Sequence, residues 1–179
     1  MNKTFKQAPS DMSKARFIEV FGGVYEHSAW LAEAVYEQGL TASDDHVDAL
    51  SQRFQAVLDV ATKAQKLALI NAHPDLAGKA AAEGRLTKES TSEQSGAGID
   101  QCTEEEYARF QTLNAAYKDK FQFPFIKAVK GSNRHIILAA FETRIHHDWE
   151  TEYQQAITEI HKIARFRLED IASTQAQND

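Results

Sequence analysis

The chain has 179 residues, of which 42% are hydrophobic and 26% are charged, and its formal net charge is −6 at pH 7. This composition is typical of a folded domain, and the acidic balance argues against a nucleic-acid partner and against binding to an anionic membrane. The single cysteine, Cys102, excludes an internal disulfide framework and a cysteine-based zinc site. Since the sequence shows neither a signal-peptide pattern nor an apolar run of membrane length, we expect a cytoplasmic protein.

Only eight glycines and three prolines interrupt the chain, so we expect an all-α, single-domain multi-helix bundle. The helical domain is predicted over residues 13–173, between a flexible N-terminal arm over residues 1–12 and a C-terminal tail over residues 174–179. One short extended segment is expected near residues 121–129 (FQFPFIKAV), the only run with a β-like composition.

Apolar residues recur every three or four positions in the N-terminal half, which predicts four amphipathic helices. They would span about residues 13–22, 27–38, 43–60 and 62–72. Ser43 is the expected N-cap of the third helix. The inward face of that helix would consist of Val47, Leu50, Phe54, Val57 and Leu58. The fourth helix is expected to end before Pro74, because a residue that precedes proline is disfavoured in helical geometry.

The C-terminal half begins with a polar helix within residues 86–98, for which Thr87 and Ser90 are both candidate N-caps. Thr103 and Glu106 match a capping box that would open the next helix, which runs to about residue 120. Its core face would consist of Phe110, Leu113, Asn114 and Tyr117. Two final helices are predicted over about residues 134–149 and 151–173.

The first candidate for chemistry is the histidine of the segment NAHPDLAGK, which starts at residue 71. His73 lies at a helix end directly before Pro74, so its imidazole would project from a stiff corner. An imidazole with a pKa near ~6.5 can donate or accept a proton at physiological pH. The alternative is that His73 and Asp75 only cap and close the corner.

The second candidate is a polar stretch, and its members are Ser90, Thr91, Ser92, Glu93 and Gln94. Ser90, Glu93 and Gln94 fall at helical positions i, i+3 and i+4, so they share one face. A hydroxyl, a carboxylate and an amide on one face could bind a planar polar ligand. The alternative is a helix face that only contacts solvent.

The third candidate, Arg167, falls within the apolar stripe of the last predicted helix at 100° per residue. A guanidinium that points inward needs an anion, which could be a substrate carboxylate held by two hydrogen bonds. The alternatives are that Arg167 extends past the core edge or pairs with a buried glutamate. Arg144 also faces inward, but we interpret it as structural.

The fourth candidate is the extended segment, whose members are Phe125, Ile126, Lys127, Ala128 and Val129. Its backbone could pair with a heterocyclic amide while its phenyl rings exclude water; the alternative is a buried connector. His146 and His147 lack a metal-ligand spacing and are expected to be exposed, so no metal site is predicted.

Five segments of the chain, in this order, resemble the 2-oxo-4-hydroxy-4-carboxy-5-ureidoimidazoline (OHCU) decarboxylase family. They are FGGVYEHSAW, AHPDLAGK, LTKESTSEQSGAG, LNAAYKDKFQFPFIKAV and KIARFRLEDI. The resemblance covers nearly everything after about residue 13. It implies an all-α, usually homodimeric enzyme that needs no cofactor and converts OHCU to S-allantoin, the last step of urate degradation.

The resemblance also implies roles for particular residues. His73 matches the proton-donating histidine of the family, and Glu93 matches the carboxylate that acts beside it. The substrate-contacting residues of the family match Pro74, Ser90, Thr91, Ser92, Glu93, Gln94, Phe125, Ile126, Lys127, Ala128, Val129 and Arg167. Two positions depart from the family pattern: Ile99 stands where leucine is frequent, and Lys127 lies in a segment that is commonly more apolar.

Two other interpretations stay open. J-domain co-chaperones also place His-Pro-Asp after a helix, as in KLALINAHPDLAG, although the basic face that such a module uses is missing here. A non-catalytic helical interaction module could present the same polar groove. Stimulation of a chaperone ATPase would favour the first alternative, and failure to accelerate OHCU breakdown would favour the second.

Overall fold

The computed structural model describes residues 2–177, and for residues 79, 80 and 175–177 it describes the backbone alone. The predicted all-α class is confirmed: within that range there is no β-strand, only one isolated bridge between Thr4 and His46. The α-helices in chain order are α1 (Lys14–Phe21), α2 (Ala29–Glu37), α3 (Val47–Asp59), α4 (Lys63–Ala72), α5 (Lys79–Ala82), α6 (Lys88–Gly96), α7 (Glu104–Phe121), α8 (Arg134–Arg144) and α9 (Trp149–Gln177). None of the helices in the described range is long and apolar enough to cross a membrane.

The chain divides into two compact units, one built from residues up to 72 together with those from 161 onward, the other from residues 73–160. In the first unit, α1, α2 and α3 surround a core of phenylalanine rings. The ring centroids of Phe17 and Phe21 are 4.8 Å apart, and Phe17 stacks on Phe54 at 6.4 Å. The whole predicted inward face of α3 is buried.

The start of α3 differs from the prediction. A short 3-10 helix, Ala42–Asp45, precedes it, and Ser43 lies inside that turn, so the N-cap predicted at Ser43 is wrong. Thr41 is instead the N-cap of this 3-10 helix. The backbone N–H of Thr41 donates a hydrogen bond to the carboxylate of Asp44 at 2.8 Å. Asp44 and Asp45 are favourable in the first turn of a 3-10 helix as well as of an α-helix, so the sequence alone does not distinguish the two.

The N-terminal segment is packed onto the first unit, which differs from the flexible arm expected over residues 1–12. Phe5 is only 3% exposed and meets Phe21 edge to face at 5.2 Å. The N–H of Phe5 donates to the carbonyl of Asp45 at 2.9 Å, and Val47 donates to the carbonyl of Lys3 at 2.8 Å. Contacts of this kind anchor the segment, and no periodic sequence pattern indicates them.

The second unit has its own aromatic core. Phe125 stacks on Phe141 with centroids 3.9 Å apart, and Tyr117 meets both rings edge to face. The predicted capping box of Thr103 and Glu106 opens α7. Helix α7 ends at Phe121, and Gln122 adopts a left-handed conformation (φ 64°). The chain continues without helix over residues 124–129, so the segment expected over residues 121–129 begins about three residues later than predicted.

The last two helices differ from their predicted bounds. Helix α8 ends at Arg144, and Asp148 opens α9 by accepting a hydrogen bond from the N–H of Thr151 at 2.8 Å. That hydrogen bond lowers the pKa of Asp148. Helix α9 continues through residues 174–177, where a tail was expected, because no glycine or proline interrupts it. Residues 178 and 179 of the predicted tail lie outside the described residues.

Candidate active site

The corner after α4 is tight and carries His73. Helix α4 ends at Ala72, the half-buried His73 follows, and Pro74 begins a stretch without helix that runs to Gly78. Ala77 has a φ of +53°, a left-handed conformation that costs an L-residue roughly 1–2 kcal/mol. A Cβ at Gly78 would lie 2.6 Å from the Cβ of Asp75, so this position requires glycine. The stiff corner predicted from the sequence is therefore present.

Gln94 joins this corner to helix α6. Its Oε1 accepts a hydrogen bond from the N–H of Ala77 at 3.1 Å, and its Nε2 donates to the carbonyl of Asp75 at 3.4 Å. The side chain is 6% exposed. Since Glu93 precedes Gln94 and His73 lies two residues before Asp75, the two segments predicted to carry the chemistry lie side by side.

Helix α6 begins after Thr87, whose hydroxyl accepts a hydrogen bond from the N–H of Ser90 at 3.2 Å. Of the two predicted N-caps, Thr87 is therefore the correct one. The burial pattern follows the predicted polar face, because Ser90 and Gln94 are buried and Glu93 is half-buried. The other two members of the stretch, Thr91 and Ser92, are exposed.

Three side chains of α7 also bind the corner. Asn114 donates from Nδ2 to the carbonyl of Leu76 at 2.9 Å, and Gln111 donates from Nε2 to the carbonyl of Ala77 at 2.6 Å. The ammonium of Lys118 lies 2.6 Å from the carboxylate of Asp75. These contacts were not predicted, although positions 111, 114 and 118 follow the i, i+3, i+7 spacing of one helix face. Polar residues at this spacing could have indicated that this face of α7 binds another segment of the chain.

The extended segment over residues 125–129 is held by two charged side chains of the second unit. Arg144 donates from Nη1 to the carbonyl of Ile126 at 2.6 Å, and its guanidinium lies 4.3 Å from the centroid of the Phe125 ring. Glu159 accepts a hydrogen bond from the N–H of Ala128 at 3.1 Å. Lys127 and Ala128 are half-buried, whereas Phe125, Ile126 and Val129 are buried.

Glu152 lies behind this segment and binds Arg144. Its fully buried carboxylate accepts hydrogen bonds from Arg144 Nε at 2.9 Å and from the Tyr117 hydroxyl at 2.5 Å. His147 Nδ1 lies 3.0 Å from the second carboxylate oxygen. Burial raises the pKa of Tyr117, and the negative charge of Glu152 raises it further. His147 is therefore half-buried and bound rather than exposed as predicted, whereas His146 is exposed.

Arg167 belongs to the first unit, and its inward direction is as the helical spacing predicted, since it is 4% exposed. It donates from Nη2 to the carboxylate of Glu26 at 2.8 Å and from Nη1 to the carbonyl of Gly23 at 3.1 Å. Glu26 is itself 1% exposed. The pairing with a buried glutamate, one of the alternatives raised from the sequence, is thus observed.

Comparison with known proteins places the chain in a family. The model of the OHCU decarboxylase family matches residues 10–169. The chain belongs to the OHCU decarboxylase family. Membership confirms the resemblance found in the sequence, and it does not favour a J-domain co-chaperone or a non-catalytic module.

Two relatives match this chain over most of their own length, and one solved structure matches it over about half of its length. The chain is 39% identical over 158 residues to the 2-oxo-4-hydroxy-4-carboxy-5-ureidoimidazoline decarboxylase of Halalkalicoccus jeotgali, which covers 88% of this chain and 86% of that protein. It is 34% identical over 175 residues to the enzyme of the same name from Haloferax volcanii, with coverage of 98% and 100%. A crystal structure of (S)-allantoin synthase superposes with a TM-score of 0.72 at 33% identity. That match covers 91% of this chain and 52% of the solved chain, so this chain spans about half of it.

Proposed function

We propose that this protein catalyses the decarboxylation of OHCU to S-allantoin, the last step of urate degradation. One observation carries the proposal: the Gln94 amide binds the His-Pro corner to the helix that contains Glu93. The two segments that the family resemblance assigns to proton transfer are thereby neighbours within one compact unit. Relatives named as OHCU decarboxylases, aligned over most of the chain, support the same reaction.

The chemistry of the substrate suits a site without a cofactor. The carboxylate of OHCU is attached to C4, next to a C5=N bond, so the substrate is a β-imino acid. The carboxylate leaves as CO2, and the electron pair of its bond to C4 forms a C4=C5 bond. The electrons of the C=N bond move to nitrogen, which takes a proton from water. The product of this step is an enol at C4, which must lose its hydroxyl proton and gain a proton at C5.

We assign these proton transfers to His73 and Glu93. Glu93 and His73 hold or remove the proton of the C4 hydroxyl as electrons move from the bond to the carboxylate into the ring. His73 then delivers a proton to one face of C5. Delivery to a single face sets the S configuration. Acid–base help of this kind is typically worth ~10²–10⁴-fold in rate, so positioning and exclusion of water must supply the rest.

We assign the binding of the substrate to the remaining matched residues. Arg167 would attract the anionic substrate, with Glu26 orienting its guanidinium. The segment over residues 125–129 would offer backbone N–H and C=O groups to the ring amide, and its buried Phe125 would exclude water. Pro74 and residues 90–94 would complete the contacts. We further propose that the enzyme needs no cofactor and acts in the cytoplasm. We also propose that it forms a homodimer, and sedimentation of the purified chain would test this oligomeric state.

The reaction itself can be tested by circular dichroism at an allantoin band. Urate is converted in the cuvette by urate oxidase and hydroxyisourate hydrolase, so that OHCU forms freshly in the presence of the protein. The proposal expects rapid accumulation of one enantiomer, the S form. Formation of allantoin no faster than in the protein-free control would contradict it and would favour a non-catalytic role.

A further inference from the structure

The His-Pro corner is held in a costly conformation that its own sequence does not enforce. Ala77 adopts left-handed geometry although it is not glycine, and residues of this kind persist only where the surroundings over-determine them. In this corner, hydrogen bonds from other helices reach three consecutive residues, 75, 76 and 77. The restraint on the corner therefore comes largely from outside its own segment.

Packing does not confine the corner on all sides. A cavity of about 510 Å³ adjoins Ala77, Gly78 and Gln94, and its other walls include Leu86, Ile99 and Tyr107. Where a cavity replaces packed side chains, the backbone loses the van der Waals contacts that would otherwise fix it. Gln94 lines this cavity, and its amide binds Asp75 and Ala77 of the corner from that side.

Three amide side chains, those of Gln94, Gln111 and Asn114, make these hydrogen bonds, and we refer to them as the amide clamp. Asn114 is 4% exposed, and its Oδ1 has no hydrogen-bond partner among the described residues. A buried, unpaired polar atom costs about 1–3 kcal/mol, which a leucine of similar size would avoid. Leucine would, however, leave the Leu76 carbonyl without the donor that Asn114 provides. Among the described residues, the hydrogen bond of this side chain goes to the corner.

We propose that Gln111 and Asn114 are positioning residues for His73. Together with Gln94 they fix the backbone of residues 75–77, and through it the place of the imidazole relative to Glu93 on α6. The proposal rests on the function proposed above, because it gives the clamp a purpose in proton delivery to C5. A displacement of about 1 Å can cost ~10²-fold in rate, so a loosened corner would affect catalysis more than binding.

The test compares Asn114→Leu and Gln111→Leu with the control Gln154→Leu, which removes an exposed glutamine of α9 in the same unit. We expect both clamp variants to lower kcat about tenfold or more per folded enzyme, with KM changed less than about threefold. The enantiomeric excess of S-allantoin should fall in parallel. The control should match the wild type in all three quantities. Wild-type kcat and enantiomeric excess in both clamp variants would overturn the proposal.

A second measurement separates this proposal from the proposed function. The imidazole of His73 is followed by NMR titration and assigned by the loss of its signal in His73→Gln. The clamp proposal expects a displaced resonance and a changed titration midpoint in Asn114→Leu and Gln111→Leu, but not in Gln154→Leu. An unchanged resonance in both would refute the clamp. The proposed function fails on a different result, namely allantoin formation by the wild-type protein that is no faster than in the protein-free control. If Asn114→Leu fails to fold, the half-buried Gln111→Leu still gives both readouts.

Discussion

Glu152 offers the sharpest prediction about stability, because one fully buried carboxylate serves three partners. Its replacement in Glu152→Leu leaves the 8%-exposed Arg144 without its counter-charge. Removing one partner of a buried ion pair costs about 3–5 kcal/mol. For a chain of this length each kcal/mol corresponds to roughly 2–4 °C, so Tm should fall by roughly 6–20 °C.

Two further variants test this reasoning by urea denaturation and thermal melting. Glu150→Leu, on the same helix but exposed, should change the free energy of unfolding by no more than about 0.5 kcal/mol. Arg144→Met combined with Glu152→Leu removes both charges, so the double variant should be more stable than Glu152→Leu alone. A loss below about 1 kcal/mol in Glu152→Leu, or no recovery in the double variant, would contradict the cost assigned here to a buried, unpaired Arg144.

Three further predictions concern the two units. His73→Gln and Glu93→Ala should abolish stereoselective allantoin formation while the far-ultraviolet circular dichroism of the helices stays unchanged; full activity in both would defeat the assignment. Burial lowers the pKa of His161, partly opposed by Asp59. Below about pH 6.5, His161 therefore binds a proton more readily in the unfolded chain than in the folded one, so the free energy of unfolding should fall as the pH drops. His161→Gln should make the free energy of unfolding less dependent on pH, as measured by urea titrations between pH 5 and 7.5. Phe5→Ala should cost about 3–5 kcal/mol in the free energy of unfolding if the N-terminal segment is packed; a loss within about 0.5 kcal/mol would instead fit a flexible arm.

Local signals explain which parts of the fold could be predicted from the sequence. The capping box of Thr103 and Glu106 and the N-cap Thr87 act within four residues, so they could be recognised directly. The inward direction of Arg167 followed from the helical repeat alone. Its partner Glu26 lies 141 residues earlier, and no periodic pattern reports a contact of that separation.

The same distinction applies to the candidate site. The corner at His73 could be predicted because proline acts on the residue directly before it. The contacts of Gln111 and Asn114 with the corner span 34 and 38 residues, and these side chains would also suit a solvated or core helix face. The left-handed Ala77 has no sequence signal, because alanine rarely adopts that conformation.

Helix α7 sets the distance and the angle between two contacts, one made by Asn114 and the other by Tyr117. Asn114 binds the corner, and three residues later Tyr117 binds Glu152 and meets the ring of Phe125. Inserting or deleting one residue between them would turn one contact by about 100° about the helix axis and shift it by about 1.5 Å. Both contacts could not then be kept. Substitutions on the solvent side of this helix should therefore be tolerated, whereas an insertion or deletion between Asn114 and Tyr117 should not.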